Sequence, residues 1–350
     1  MSKTSRNNYI AIAKAIGIIL MVVGHSGCPS ALGRFIYLFH MPLFFVCSGY
    51  FFKEITNKAS LIPFYKKKMT GLYVPYLKWS LLFLLLHNIF RYLYIIGSDF
   101  YHMADYVRQF AKLLVMTDYE ILIRPFWFMK ELLLTSIIVA SFSLIRSLFF
   151  PKISIFFLLI ISMAITFVAK SVQDFPLIGD CSLLFFSITY FYSGVLLQKY
   201  KDIIPFNTSM MIISFLIVLI GSVLYKGTID MRFTTEKNII PYYILSLAGV
   251  IMVLCISKKS ECISAKYILY YIGNHTMPIL ALNLLALKLG NLIKIWIYDL
   301  PINNLSSHTV IYNYNTFYWL AYTMIGVVIP LLTNYLYNRF FSKYNFEKTK

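Results

Sequence analysis

In 350 residues the chain carries 59% hydrophobic and 18% aromatic side chains against 13% charged, about half the charged share of an ordinary soluble domain, so lipid is the solvent for much of its surface. A net charge of +18 would suit nucleic acid or an anionic surface, yet the basic residues fall in alternate segments between apolar runs, a topology signature that leaves nucleic acid without a role. Cys28, Cys47, Cys181, Cys255 and Cys262 are odd in number and unpatterned, so neither a disulfide framework nor a metal site is expected.

Runs long and apolar enough to cross a bilayer fall at about 8–26, 34–52, 73–95, 126–148, 152–170, 182–198, 207–225, 239–257, 276–295 and 317–338. The expected fold is all-α, a polytopic transmembrane bundle of about ten spans forming a single domain over residues 1–350. The first run follows Lys3 and Arg6 and ends near Ser26-Gly27-Cys28, which imitates a lipoprotein signal. Lys14 within the run and His25 near its end argue against cleavage, and the segment reads as a retained helix. Eleven residues separate Lys14 from His25, three turns plus about 20°, so both project from one face about 16 Å apart. An ionisable group in a span is costly, so it is either functional or paired with another helix. Lys14 is thus a ligand cation or the partner of an acid such as Glu131, and His25 a base or a packing hydrogen bonder.

The second run contains His40-Met41-Pro42, where the proline predicts a kink and His40 either serves the site or satisfies backbone groups that the proline frees. A basic segment with Lys53, Lys58 and Lys66-Lys67-Lys68 leads to Pro75 and the third run. The segment 96–125 carries Asp99, His102, Asp105, Arg108, Asp118, Glu120 and Arg124; a connection of that length is either a functional loop or a solvated cap. The fourth run opens on Phe126-Trp127-Phe128 and includes Glu131. Trp127, with Tyr37, is a stacking surface for a ligand or one of the aromatic residues that belt a membrane interface. Further on, Pro151, Pro205 and Pro301 punctuate the ends of runs, and Pro278 predicts a kink in the ninth. Lys3, Arg6, Lys53, Lys58, Lys66–Lys68, Arg146, Lys152, Lys199, Lys201, Lys258, Lys259 and Lys266 share one set of loops with the C-terminal lysines. The opposite loops hold fewer cations, among them Arg34, Arg91, Arg232 and Lys294, mixed with most of the acids. By the positive-inside rule both termini are cytoplasmic.

The segment RNNYIAIAKAIGIILMVVGH, Arg6 to His25, resembles the first helix of acyltransferase family 3, whose members place a basic residue and, eleven positions on, a histidine. YLFHMPLFFVCSGYFF, Tyr37 to Phe52, and Phe126-Trp127-Phe128 resemble the second and fourth helices of the stand-alone members. Tyr73-Val74-Pro75-Tyr76 and Gly273-Asn274-His275-Thr276 are looser matches. Ala11 stands where members often have an acid, and Gly71 where the basic loop often has a second arginine. The resemblance implies an integral membrane O-acyltransferase of the bacterial inner membrane that carries acetyl from acetyl-CoA, without a metal, to a hydroxyl of a cell-surface or lipid-linked glycan. It also implies His25 as catalytic base and Lys14 as the donor's cation. His40, Trp127 and Glu131 are read as acceptor-binding residues from their depth in the spans. A secondary transporter or glycan flippase would also have many spans and buried charges, but no internal symmetry between residues 1–175 and 176–350 supports it.

Overall fold

The computed structural model describes residues 8–170, 180–233, 238–307, 309–312 and 317–347, so Lys3 and Arg6 lie outside the described residues. All regular structure among them is helical. Eight helical segments are long and apolar enough to cross a membrane, and two shorter apolar helices, Ile155–Ala169 and Thr208–Leu224, stand where the fifth and seventh spans are expected. A polytopic helical membrane protein is therefore the architecture.

The first helix, α1 (Asn8–His25), is the hub of the bundle. It ends at Gly27, whose positive φ of 78° a β-carbon would oppose. The second span is broken into α2 (Ser30–Tyr37) and α3 (His40–Tyr50). The break lies ahead of Pro42 rather than at it, because a proline removes the hydrogen bond to the residue four before it and is tolerated in a helix's first turn. Leu38, which loses that bond, is met at 2.7 Å by the hydroxyl of Ser246, and the neighbouring Tyr37 carbonyl accepts from Tyr242 at 2.7 Å. A helix distant in sequence thus completes the backbone of the break.

The basic segment is helical, not a loop: α4 (Lys58–Lys68), capped by the Asn57 side chain on Ser60 N at 2.9 Å, runs through a π turn at Met69–Tyr73 into α5 (Val74–Tyr92). Pro75 in the first turn of α5 leaves the Gly71 carbonyl without its usual donor, and the π turn sits at that defect. The long connection 96–125 contains the amphipathic α6 (Met103–Leu114) and a short 3₁₀ segment, Ile121–Phe126, that leads into α7 (Trp127–Phe149). It is fastened to α5 by His87, whose Nδ1 donates to Glu120 Oε2 at 2.8 Å and whose Nε2 lies 3.1 Å from the Asp99 carbonyl. Tyr101 stacks on that imidazole with ring centres 3.4 Å apart, and burial, with the Glu120 charge nearby, pushes its phenol up to about 12.

Side-chain caps start the next three helices: Ser154 for α8 (Ile155–Ala169), Asp180 for α9 (Cys181–Lys199) and Asn207 for α10 (Thr208–Leu224), each accepting a backbone N–H three residues on. Helices α3 and α9 pack backbone to backbone, since a β-carbon at Gly49 would meet the Phe191 carbonyl and one at Gly194 the Val46 carbonyl. Small residues are what allow so close an approach in a membrane. The remainder is α11 (Ile239–Ser260), α12 (Lys266–Asn274), α13 (Thr276–Ile297), the short α14 (Asn304–Ser307) and α15 (Tyr318–Glu347). As with Pro42, Pro278 sits in the first turn of α13, and the helix breaks at His275 instead of bending at the proline.

Candidate functional site

Two cavities adjoin along α1. The larger, about 600 Å³, is lined by Lys14 of α1, Cys47 and Ser48 of α3, Lys53, Lys67 and Lys68 of the basic segment, and apolar residues of α7 and α13 that include Phe128, Leu132 and Met277. Four lysines therefore line one cavity, and among the described residues no carboxylate lines it. Lys68 Nζ donates to Ser48 Oγ at 3.2 Å, which turns one of these amines toward the end of α3. An apolar slot with clustered ammonium groups is suited to a ligand that is anionic at one end and uncharged at the other.

The smaller cavity, about 270 Å³, is bounded by His25 at the end of α1, by Tyr37 and His40 on either side of the α2–α3 break, and by Arg124 and Trp127. Asp230, Arg232 and Thr309 close it. His40 is buried, and its Nδ1 lies 3.0 Å from the Ile36 carbonyl. A carbonyl only accepts, so Nδ1 carries the proton and Nε2 is the lone-pair nitrogen of the neutral ring. The break exposes the Ile36 carbonyl to a side chain, so the backbone defect that Pro42 enforces also fixes the orientation of His40. Tyr37 meets the same imidazole edge on, ring centres 4.9 Å apart. Arg232 is paired with Asp230 at 2.9 Å and its guanidinium lies 5.1 Å from the centre of the Trp127 indole, a cation–π contact that holds the ring against the cavity. Arg124 is exposed, and its side chain makes no hydrogen bond or ion pair with a described residue.

Lys14 thus opens on the first cavity, and His25, His40 and Trp127 gather around the second. Glu131 is on neither wall: it is buried in α7, and its Oε2 has no hydrogen-bond partner. Lys294, expected in a loop, is a buried residue of α13 instead. It belongs to a ladder that holds the segment carrying Thr309: Lys288 Nζ donates to Leu305 O at 2.6 Å, Asn291 Nδ2 to Thr309 O at 3.1 Å and Lys294 Nζ to Ile311 O at 2.5 Å. In sequence Arg232 counts only as a loop cation and Asp230 does not stand out; their Asp-x-Arg spacing in a short polar connection is the one local hint that they act together.

A family model described as an acyltransferase domain matches residues 7–335. No curated protein and no solved structure matches the chain.

Proposed function

Because the chain belongs to acyltransferase family 3, and so is an acyltransferase built of membrane-spanning helices, we propose that it transfers acetyl from acetyl-CoA to a hydroxyl of a cell-surface or lipid-linked glycan. Family membership sets it among acyltransferases rather than transporters or flippases. The observation that carries the finer reading is the pair of adjoining cavities, one with Lys14, Lys53, Lys67 and Lys68, the other with two imidazoles and Trp127. In this reading the amines take the phosphates of CoA from the cytoplasm, and the pantetheine arm extends along α1. The arm has to span roughly the 16 Å that separates positions eleven residues apart on a helix. The sugar enters the second cavity from the other side and lies against Trp127, with its hydroxyl toward His25 and His40.

His25 is the general base. As the hydroxyl oxygen attacks the acetyl carbonyl carbon, the imidazole takes the hydroxyl proton, a C–O ester bond forms and the C–S bond of the thioester breaks. The imidazolium then returns the proton to the departing CoA thiolate, so the products are the O-acetyl ester and free CoA thiol. His40, held by Ile36 through Nδ1, offers Nε2 as an acceptor to a neighbouring hydroxyl of the sugar and so orients the ring, leaving the proton of the attacking hydroxyl to His25. The enzyme belongs to the inner membrane on this reading, with the four amines on the cytoplasmic side. The test is chemical: surface polysaccharide from cells lacking the protein should lose O-acetyl groups that return on complementation, and purified protein should release CoA thiol from acetyl-CoA only when acceptor is added. Unchanged O-acetylation on deletion, with no thiol release from any acceptor, would overturn the reading.

A further inference from the structure

We propose that Met21, Met41 and Leu280 form an acyl-size filter between the two cavities, one that lets an acetyl group reach His25 and holds back longer acyl groups. This rests on the acyl-transfer reading above. These three side chains line both cavities, so they are the shared wall through which a thioester anchored beside Lys14 must reach a base on the far side. Met21 lies on α1 between Lys14 and His25, seven positions after the one and four before the other. Met41 directly follows His40. Met21 and Leu280 are 3% and 7% exposed and Met41 is half-buried, so two of the three side chains are packed and the third has room to move.

The composition of the wall suits a filter better than a seal. Methionine has an unbranched, three-bond side chain that changes rotamer at small cost, whereas branched Leu280 is stiffer. Swinging Met21 and Met41 aside would bring the thioester carbonyl up to the wall without moving a helix, and the acyl tail then has to lie in the space beside the two thioethers. The room left at the wall is then set by where the two thioethers come to rest. An acetyl group has one carbon beyond its carbonyl and a butyryl group has three. Methionine to alanine removes the three heavy atoms Cγ, Sδ and Cε, more than the extra length of butyryl needs.

Initial rates of CoA thiol release with acetyl-, propionyl- and butyryl-CoA, using purified protein and de-O-acetylated surface polysaccharide as acceptor, test this. Wild type should use butyryl-CoA about tenfold or more worse than acetyl-CoA, the discrimination that a tight apolar site achieves per one or two methylenes. Met21→Ala and Met41→Ala should bring that ratio toward one. Met41→Phe should lower acetyl-CoA turnover while leaving the dissociation constant of CoA itself unchanged, because the phosphates bind elsewhere. If the alanine variants do not fold, Met21→Val and Met41→Val shorten the same side chains and should shift the ratio in the same direction. An unchanged butyryl-to-acetyl ratio in every folded shortened variant overturns the filter while leaving acyl transfer intact. A wild type that releases thiol from none of the three donors overturns the acyl-transfer reading and the filter with it.

Discussion

His25 and His40 border the same cavity, but only one of them has a fixed tautomer. His40 Nδ1 is committed to Ile36 O, which makes His40 a good orienting group. His40 is thereby tied to the backbone at the α2–α3 break, whereas His25 stands half-buried at the end of α1 on the cavity wall and is the base in the proposed reaction. His25→Ala and His25→Gln should therefore both lose about a hundred- to ten-thousand-fold in acetyl transfer, the usual worth of a general base. Membrane insertion and expression should be unchanged, as read by immunoblot of the membrane fraction. Near wild-type transfer by the glutamine variant would mean that His25 is a packing hydrogen bonder. For Lys14 the useful comparison is between charge and shape: acetyl-CoA binding should weaken in Lys14→Ala and be largely kept in Lys14→Arg, since the phosphates need a cation rather than a particular fork of donors. Equal affinity of the alanine variant and wild type would remove Lys14 from the donor site. Arg124, whose side chain has no hydrogen-bond or ion-pair partner among the described residues, lines the smaller cavity, the proposed acceptor site. Arg124→Gln should raise the KM for the glycan several-fold with the KM for acetyl-CoA unmoved; the opposite pattern would place Arg124 on the donor.

At the scale of elements, the ladder on α13 shows how the second cavity keeps its shape. Asn291 binds the Thr309 carbonyl through Nδ2, and its Oδ1 accepts from Ile311 N at 3.1 Å and from the Tyr322 hydroxyl at 2.7 Å. Asn291→Leu strips all three partners at once, and each buried polar group left unpaired costs about 1–3 kcal/mol. The melting temperature of the purified variant should fall by several degrees and its acceptor KM should rise, while binding of acetyl-CoA at the far cavity persists. An unaltered melting temperature would show that Thr309 and Ile311 are held by packing instead. The spans themselves were readable from the sequence because each is a run of apolar residues whose length the bilayer dictates. The broken helices were only half readable. Pro42 and Pro278 announce a disturbance, but where it falls depends on which neighbour can take the freed carbonyls, and Ser246 and Tyr242 lie about two hundred residues away. Lys294 shows the same limit, since a charged residue near a run's end looks like a loop residue until the tertiary contact with Ile311 buries it. Lys14 and His25 were visible because both lie on one helix, where spacing alone implies a shared face. Thr309 joins the site only through folding, and for Asp230 and Arg232 the Asp-x-Arg spacing hints at their pairing but not at their place beside Trp127.

For the whole molecule the decisive question is which side of the membrane each cavity serves. The positive-inside rule puts the basic segment around α4 in the cytoplasm, and that segment supplies Lys67 and Lys68 to the four-amine cavity. The connection that holds α6 contributes Ile121 and Arg124 to the histidine cavity and by the same rule lies outside. Donor and acceptor would then approach from opposite sides and meet at the wall made by Met21, Met41 and Leu280. Ile62 on α4 and Met103 at the start of α6 are 70% and 78% exposed, so either can be changed to cysteine without disturbing the core. In a background with the five native cysteines replaced by serine, a membrane-impermeant maleimide should label Met103→Cys in intact cells. Ile62→Cys and a cysteine appended after Lys350 should label only once the membrane is permeabilised. Labelling of Ile62→Cys in intact cells would put the amines on the side that holds no acetyl-CoA, and the donor would have to be assigned to the histidine cavity or abandoned. Protection of Met103→Cys alone would leave the donor side standing and move the glycan to the cytoplasmic face, where a lipid-linked precursor rather than the finished surface polymer would be the acceptor.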